Sequence, residues 1–446
     1  MTTEPVQYGS RYQIRGHDAA SLRRSVERGI ARGTLAPGDR LPSVRALATE
    51  LGLSPGTVAS AYRDLRQRGA VVSHDRARTV VAHRRSPDPR LEPTLPPGCR
   101  DLASGNPDPD LLPTTPPAGG GRVSEPVGYG GRTTVAELTE LARAQLSEEG
   151  LDPSHLAVTG GGLDGIERVL LEHCRPGDRV VVEDPGYVGS LDLVRTMGLE
   201  PVPVALDDAG PVPESLAAAL DTGVEAAIIV PRAQNPTGAA ITPERAVTLR
   251  ALLDEHAEVV VIEDDHLAPL AEVPLASLTI GRPRWVSVRS LAKAIGPDLR
   301  LAVVAGDPDT IAALEARQRL GPGWTSRLLQ ALAADTWRRA RDTGTLAAAA
   351  SAYAGRRSAL LAALDQAGID ATGTTGLNVW IPVVEEVPVA QGLLARGWAV
   401  QAGEPFRIVA DPGVRVTIAG LPAPDAPAFV ADLLGVLERR LPTRRG

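Results

Sequence analysis

The chain carries one side-chain primary amine. Of its 47 basic residues only Lys293 is lysine, and a guanidinium cannot form a Schiff base. Any covalent amine chemistry therefore falls to Lys293. It lies in RWVSVRSLAKAIGPDLR, just after an apolar run. Four other apolar runs are each followed at once by a different polar group. After LAV, TGGGLDG opens a helix, and the N–H groups of Gly161, Gly162 and Leu163 form a cup for a phosphate. After RVVV, EDPGY brings the ring of Tyr187; after AAIIVP, RAQNPTG brings the amide of Asn235; after VVVI, EDDH brings the carboxylate of Asp264.

An amine, a carboxylate, an amide, an aromatic plate and a phosphate cradle form the set that pyridoxal phosphate requires. The amine bonds to the aldehyde, and the carboxylate keeps the pyridine nitrogen protonated so that the ring accepts electrons. The amide holds the phenolate oxygen, and the tyrosine stacks on the ring.

Groups at strand ends need a sheet to position them. From about residue 101, helical patterns such as VAELTELARAQL alternate with short Val/Ile-rich strands. This predicts an α/β domain over 101–446 with a mostly parallel sheet, whose ligands sit at the carboxyl ends of the strands. Upstream, RRSPDPRLEPTLPPGCR places five prolines in seventeen positions, and residues 85–100 read as an extended linker.

Residues 1–84 differ in kind. The first 85 positions carry a net charge of +8 against −15 for the rest, an asymmetry that points to a polyanionic partner at the front. Leu22, Val26 and Ile30 mark one helix that stops at Gly33. A second is capped by Ser43 and buries Val44, Leu47 and Leu51. A third has Ser54 as cap and Pro55 at its first position, and runs through Val58, Tyr62 and Leu65. Two strand-like runs, VVS and TVVA, follow. The order is that of a winged helix-turn-helix.

LPSVRALATELGLSPGTVASAYRDLRQRGAV resembles the GntR family. The resemblance implies that Ser43 and Arg45 grip phosphates and that Ser54, Thr57, Tyr62 and Arg63 lie at the groove or its rim. Arg76 and Arg78 replace the usual wing glycines and suit a minor groove. Pro55 stands where the family often has arginine. Residues 101–446 resemble a fold-type I, class I/II aminotransferase with a smaller C-terminal α+β subdomain, through QNPTG, IEDD and the Lys-x3-Pro-x2-Arg spacing. The whole chain resembles the MocR-type transcription regulators. The resemblance implies that Lys293 carries the cofactor, with Ser290 and Arg300 on its phosphate and Asp264 on its ring nitrogen. It further implies Asn235 on the phenolic oxygen, Tyr187 stacked on the ring, Tyr129 reaching the phosphate of a neighbouring subunit, and Arg415 on a substrate carboxylate. His266 stands where the family has a tyrosine that donates to the phenolic oxygen, and Ala292 replaces a serine.

The expectation is a cytoplasmic, homodimeric, domain-swapped regulator that binds a double-stranded DNA operator. It would sense an amine or amino acid that displaces Lys293 to form an external aldimine. The motifs do not exclude an active aminotransferase with an attached DNA-binding head, the intact head favours regulation, and a third reading keeps the body for dimerisation alone. Two cysteines, Cys99 and Cys174, exclude a disulfide scaffold, no Cys/His spacing suits a metal, and no apolar run is long enough to span a bilayer.

Overall fold

The computed structural model describes residues 12–36, 38–67, 70–74, 78–81, 95–114, 128–129 and 131–438. The chain divides into two compact units, an N-terminal head and a larger body.

In the head, helices Ala19–Ala31, Val44–Leu51 and Pro55–Gln67 precede an antiparallel hairpin of Val71–His74 and Arg78–Val81. The first helix is held by a capping box between Asp18 and Ser21. Ser43 caps the second, accepting the Ala46 N–H at 3.1 Å, and Gly52 ends it in a left-handed conformation. Leu22, Val26, Leu47, Val58, Ala61 and Leu65 close one core with Val71 and Val81 from the hairpin.

The body is built on an eight-stranded sheet. In spatial order its strands are Leu156–Thr159, Ala302–Gly306, Trp285–Ser290, Val260–Asp264, Ala226–Ile229, Arg179–Asp184, Glu200–Asp207 and Gly210–Pro211. The four strands from Trp285–Ser290 to Arg179–Asp184 run parallel, and the Ala302–Gly306 strand pairs antiparallel with both neighbours. The parallel strands read as continuous Val/Ile runs because helices cover both faces. A second sheet, of Asn378–Pro382, Gly413–Thr417, Trp398–Ala402 and Arg100–Leu102, forms the smaller α+β part. The body's first described strand thus begins at Arg100, the last position assigned to the linker. The linker's residues 85–94 lie outside the described residues.

Candidate functional site

The ends of the parallel strands converge as the sequence predicts. Strand Val260–Asp264 delivers Asp264, strand Trp285–Ser290 delivers Ser290, and the short helix Ala292–Ile295 carries Lys293. Helix Gly162–His173 begins above them, with Gly161 as its N-cap at φ +127°. A Cβ at Gly161 would approach the Arg300 guanidinium to 3.2 Å, and one at Gly162 would come 3.7 Å from Ser290 Cβ and 3.8 Å from Asp264 Oδ1. The leading N–H groups of this helix, which the helix itself cannot satisfy, therefore share one small space with Arg300, Ser290 and Asp264. Tyr187 closes another side: its ring lies over Gly189, where a Cβ would meet the ring at 2.6 Å and the Leu163 side chain at 3.0 Å.

Asp264 is buried, and its Oδ1 has no hydrogen-bond partner. Burial, and then the charge of Asp265, push its pKa up to about 7. A buried carboxylate oxygen without a donor calls for a cationic N–H, and a pyridinium supplies one. The residues present thus fit pyridoxal phosphate: Gly161, Gly162, Leu163, Ser290 and Arg300 would hold its phosphate, and Asp264 would face its ring nitrogen.

Loss of water and the neighbouring Lys293 ammonium hold the His266 pKa down to about 4, so the imidazole is neutral. A neutral ring still carries one N–H to donate.

Arg415, on strand Gly413–Thr417, is buried beside Asn235. Its Nη1 donates to Asn235 Oδ1 at 3.1 Å, its Nη2 donates to the Ala103 carbonyl, and it lies 4.9 Å from the Phe406 ring centroid. Burial draws its pKa down to about 10, against the opposing pull of Tyr187 and Asp101. It remains charged at neutral pH. Lys293 Nζ donates to the Gly105 carbonyl.

Sequence reasoning missed two sets of residues. Arg232, Asp265, Glu149 and Arg289 form a buried charge cluster behind the site. In it Arg232 Nη2 lies 2.8 Å from Asp265 and 2.7 Å from Glu149, and Arg289 pairs with Glu149. The cluster ties the loop carrying Asn235 to the one carrying Asp264 and His266. The other set is Glu183 and Gln234. Glu183 accepts the Val230 N–H and the Gln234 amide, both at 3.0 Å, and Gln234 also donates to the Pro185 carbonyl. Burial pushes the Glu183 pKa up to about 8. The only sequence signal was proximity: Arg232, Gln234, Asp265 and Arg289 sit within three residues of a named site residue, Glu183 lies four before Tyr187, and Glu149 had no signal at all.

Tyr129 does not join this site within its own chain. It is 98% exposed, with its ring edge-on to Trp324 at 5.9 Å.

On the head, Ser43, Arg45, Ser54 and Arg63 are exposed, and Thr57 is half-buried, sharing a 2.8 Å hydrogen bond with Ser54. Tyr62 corrects the expectation. It is 3% exposed, and its hydroxyl donates to the Pro42 carbonyl at 2.8 Å, so it is a core residue fixing the second helix to the third. Arg76 lies outside the described residues, and of Arg78 only the backbone is described, in the second strand of the hairpin.

The description "Aminotransferase class I and II" matches residues 125–433, and "Bacterial regulatory proteins, gntR family" matches 19–81. The chain belongs to the class I and II aminotransferase family. Its GntR-type head makes it a DNA-binding regulator of the MocR type. It is 36% identical, over 96% of its own length and 100% of the relative's, to the vitamin B6 salvage pathway transcriptional repressor PtsJ of Salmonella typhimurium. It is 28% identical to the pyridoxine biosynthesis transcriptional regulator PdxR of Corynebacterium glutamicum, over 62% of this chain and 63% of that one. The body also shares its fold with an archaeal alanine:glyoxylate aminotransferase (TM-score 0.69, 20% identity, 77% of this chain and 91% of that one). Among the described residues no helix is long and apolar enough to cross a membrane, and no cluster of metal-ligating side chains occurs.

Proposed function

We propose that this regulator binds pyridoxal phosphate at Lys293 and switches its hold on DNA when a small amine or amino acid reaches the same site. The observation that carries the reading is the orphaned, buried Asp264 carboxylate facing Gly162, in one site with the chain's single lysine. Bound there, the cofactor supplies an electrophilic carbon and an electron-accepting ring. The chain's residues do the rest. Arg300, Ser290 and the N–H groups of Gly161, Gly162 and Leu163 hold a phosphate, and Asp264 takes the ring nitrogen. Asn235 and His266 address the phenolic oxygen, and Tyr187 covers the ring. Arg415 offers a fork for a carboxylate. Ser43, Arg45, Ser54, Thr57 and Arg63 meet the DNA.

Tyr129, exposed and unused within its own chain, is available to reach a second copy's site, in keeping with a homodimer. That two related chains are named for vitamin B6 salvage and pyridoxine biosynthesis favours a second reading, in which the level of the B6 cofactor is itself the signal.

One titration separates these readings. DNA affinity is measured for cofactor-free protein, for protein with pyridoxal phosphate, and for loaded protein with a panel of amines and amino acids. A change on adding pyridoxal phosphate alone supports cofactor sensing, and a further change with one amine supports effector sensing. Conversion to the pyridoxamine form, reversed by a keto acid, would instead establish an aminotransferase. Indifference of DNA affinity to every addition would overturn both sensing readings.

A further inference from the structure

The two cations of the site are capped by one short turn. After strand Arg100–Leu102 the chain bends at Ala103–Asn106, with Gly105 at φ +71°. The Ala103 carbonyl accepts from Arg415 Nη2, and two residues later the Gly105 carbonyl accepts from Lys293 Nζ. The turn is close against the arginine: a Cβ on Gly105 would lie 3.3 Å from Nη2.

It is pinned at both ends by groups that touch neither cation through a hydrogen bond. Asp101 Oδ1 accepts the N–H groups of Ala103 and Ser104, each at 2.9 Å. Asp108 pairs with Arg356 at 2.7 Å, and its backbone N–H donates to the Tyr353 hydroxyl oxygen at 2.9 Å. Either bidentate edge of the guanidinium, Nη1 with Nη2 or the partnerless Nε with Nη2, uses Nη2, and the turn crowds that atom through both the Ala103 carbonyl and Gly105.

We infer that the Ala103–Gly105 turn is a built-in competitor for the ligand, and that its two clasps open for different reasons. The inference rests on the cofactor reading above. When Lys293, having first lost its third proton to solvent, bonds to the aldehyde carbon, a C=N bond would replace C=O, and the remaining two amine protons would leave with the oxygen as water. The Gly105 clasp is lost. When an incoming amino acid takes over that carbon, its own amine forms the C=N bond and Lys293 recovers its two protons, so Gly105 regains its donor. The amino acid's carboxylate meanwhile takes Nη2 from Ala103. A simple amine performs the first exchange and leaves the Ala103 clasp shut. The turn thus distinguishes an α-amino acid from the amine that lacks its carboxylate, and residues 101–108 report which has bound.

The test uses full-length protein loaded with pyridoxal phosphate and three matched pairs: L-alanine and ethylamine, L-leucine and isopentylamine, L-phenylalanine and phenethylamine. Binding is read by the visible band, and hydrogen exchange is followed in a peptide spanning 101–108. For any pair that binds, the amino acid should speed exchange in that peptide and the amine should not. Asp101→Ala, which frees the turn, should raise amino-acid affinity about tenfold relative to the paired amine, equivalent to about 1.4 kcal/mol. Asp101→Asn keeps an oxygen for the two N–H groups and should stay near wild type. Equal gains in both variants would mean that lost charge beside Arg415, and not release of the turn, sets the affinity, and the proposal would fall. Exchange in 101–108 that responds alike to amine and amino acid would also overturn it. Absence of any visible band in wild-type protein would remove the cofactor reading itself, and the inference with it.

Discussion

The head and the body use charge in opposite ways. The head buries an apolar core and leaves Arg45 and Arg63 exposed to solvent. The body draws Lys293, Asp264, Arg415 and the Arg232 cluster inward, where each needs a partner supplied by the fold. A surface arginine contributes by long-range attraction that salt screens. A buried group contributes by geometry, and its loss leaves something else stranded. Substitutions in the two units should therefore fail differently.

The largest expected effect is at Lys293. Lys293→Ala should abolish the band that pyridoxal phosphate gives on bonding to the protein, while basal DNA binding persists. A surviving band would show that the covalent site lies elsewhere. Next comes Arg232→Ala, which leaves Asp265 fully buried with its nearest cation gone. It should destabilise the body by about 3–5 kcal/mol in denaturant unfolding, and a change below about 1 kcal/mol would mean that Arg289 takes over.

Asp264→Asn should weaken the cofactor by about a hundredfold, or about 2.7 kcal/mol, yet stabilise cofactor-free protein. The sign follows from the raised pKa. Between its ordinary value of 3.8 and about 7, the unfolded chain has lost this proton while the folded one keeps it, so stability falls as pH rises through that window. Melting curves from pH 4 to 8 should therefore slope less for the variant, and identical slopes would contradict the burial argument. The smallest effect belongs to the head. Arg45→Ala should lower DNA affinity about tenfold, nearly independently of sequence, and reduce the salt slope by about one. A steep sequence dependence would make Arg45 a base reader.

These contrasts also explain what could be read in advance. Strand ends are legible because apolar runs stop abruptly, so Asp264, Asn235 and Tyr187 announced themselves next to VVVI, AAIIVP and RVVV. The head's helices were legible from Leu22, Val26 and the glycines that end them. Tyr62 was misplaced at the groove by the family resemblance, although the helical spacing had already set it on one apolar face with Val58 and Leu65, where the structure buries it. The Ala103–Gly105 turn was invisible for a different reason. It acts through backbone carbonyls, which carry no residue signature, on partners 312 and 188 positions away. The Arg232 cluster needed the fold as well, since in an arginine-rich chain no spacing tells which guanidinium meets Asp265.

Confining the only ε-amine to the site bears on how faithfully this protein can report. Aldehyde metabolites condense with accessible lysines on ordinary protein surfaces, which adds background uptake unrelated to the true site. Here the arginine-coated exterior cannot react that way, so apart from the chain terminus each molecule has one place to capture an aldehyde. Background imine formation on its own lysine side chains is thereby confined to one position.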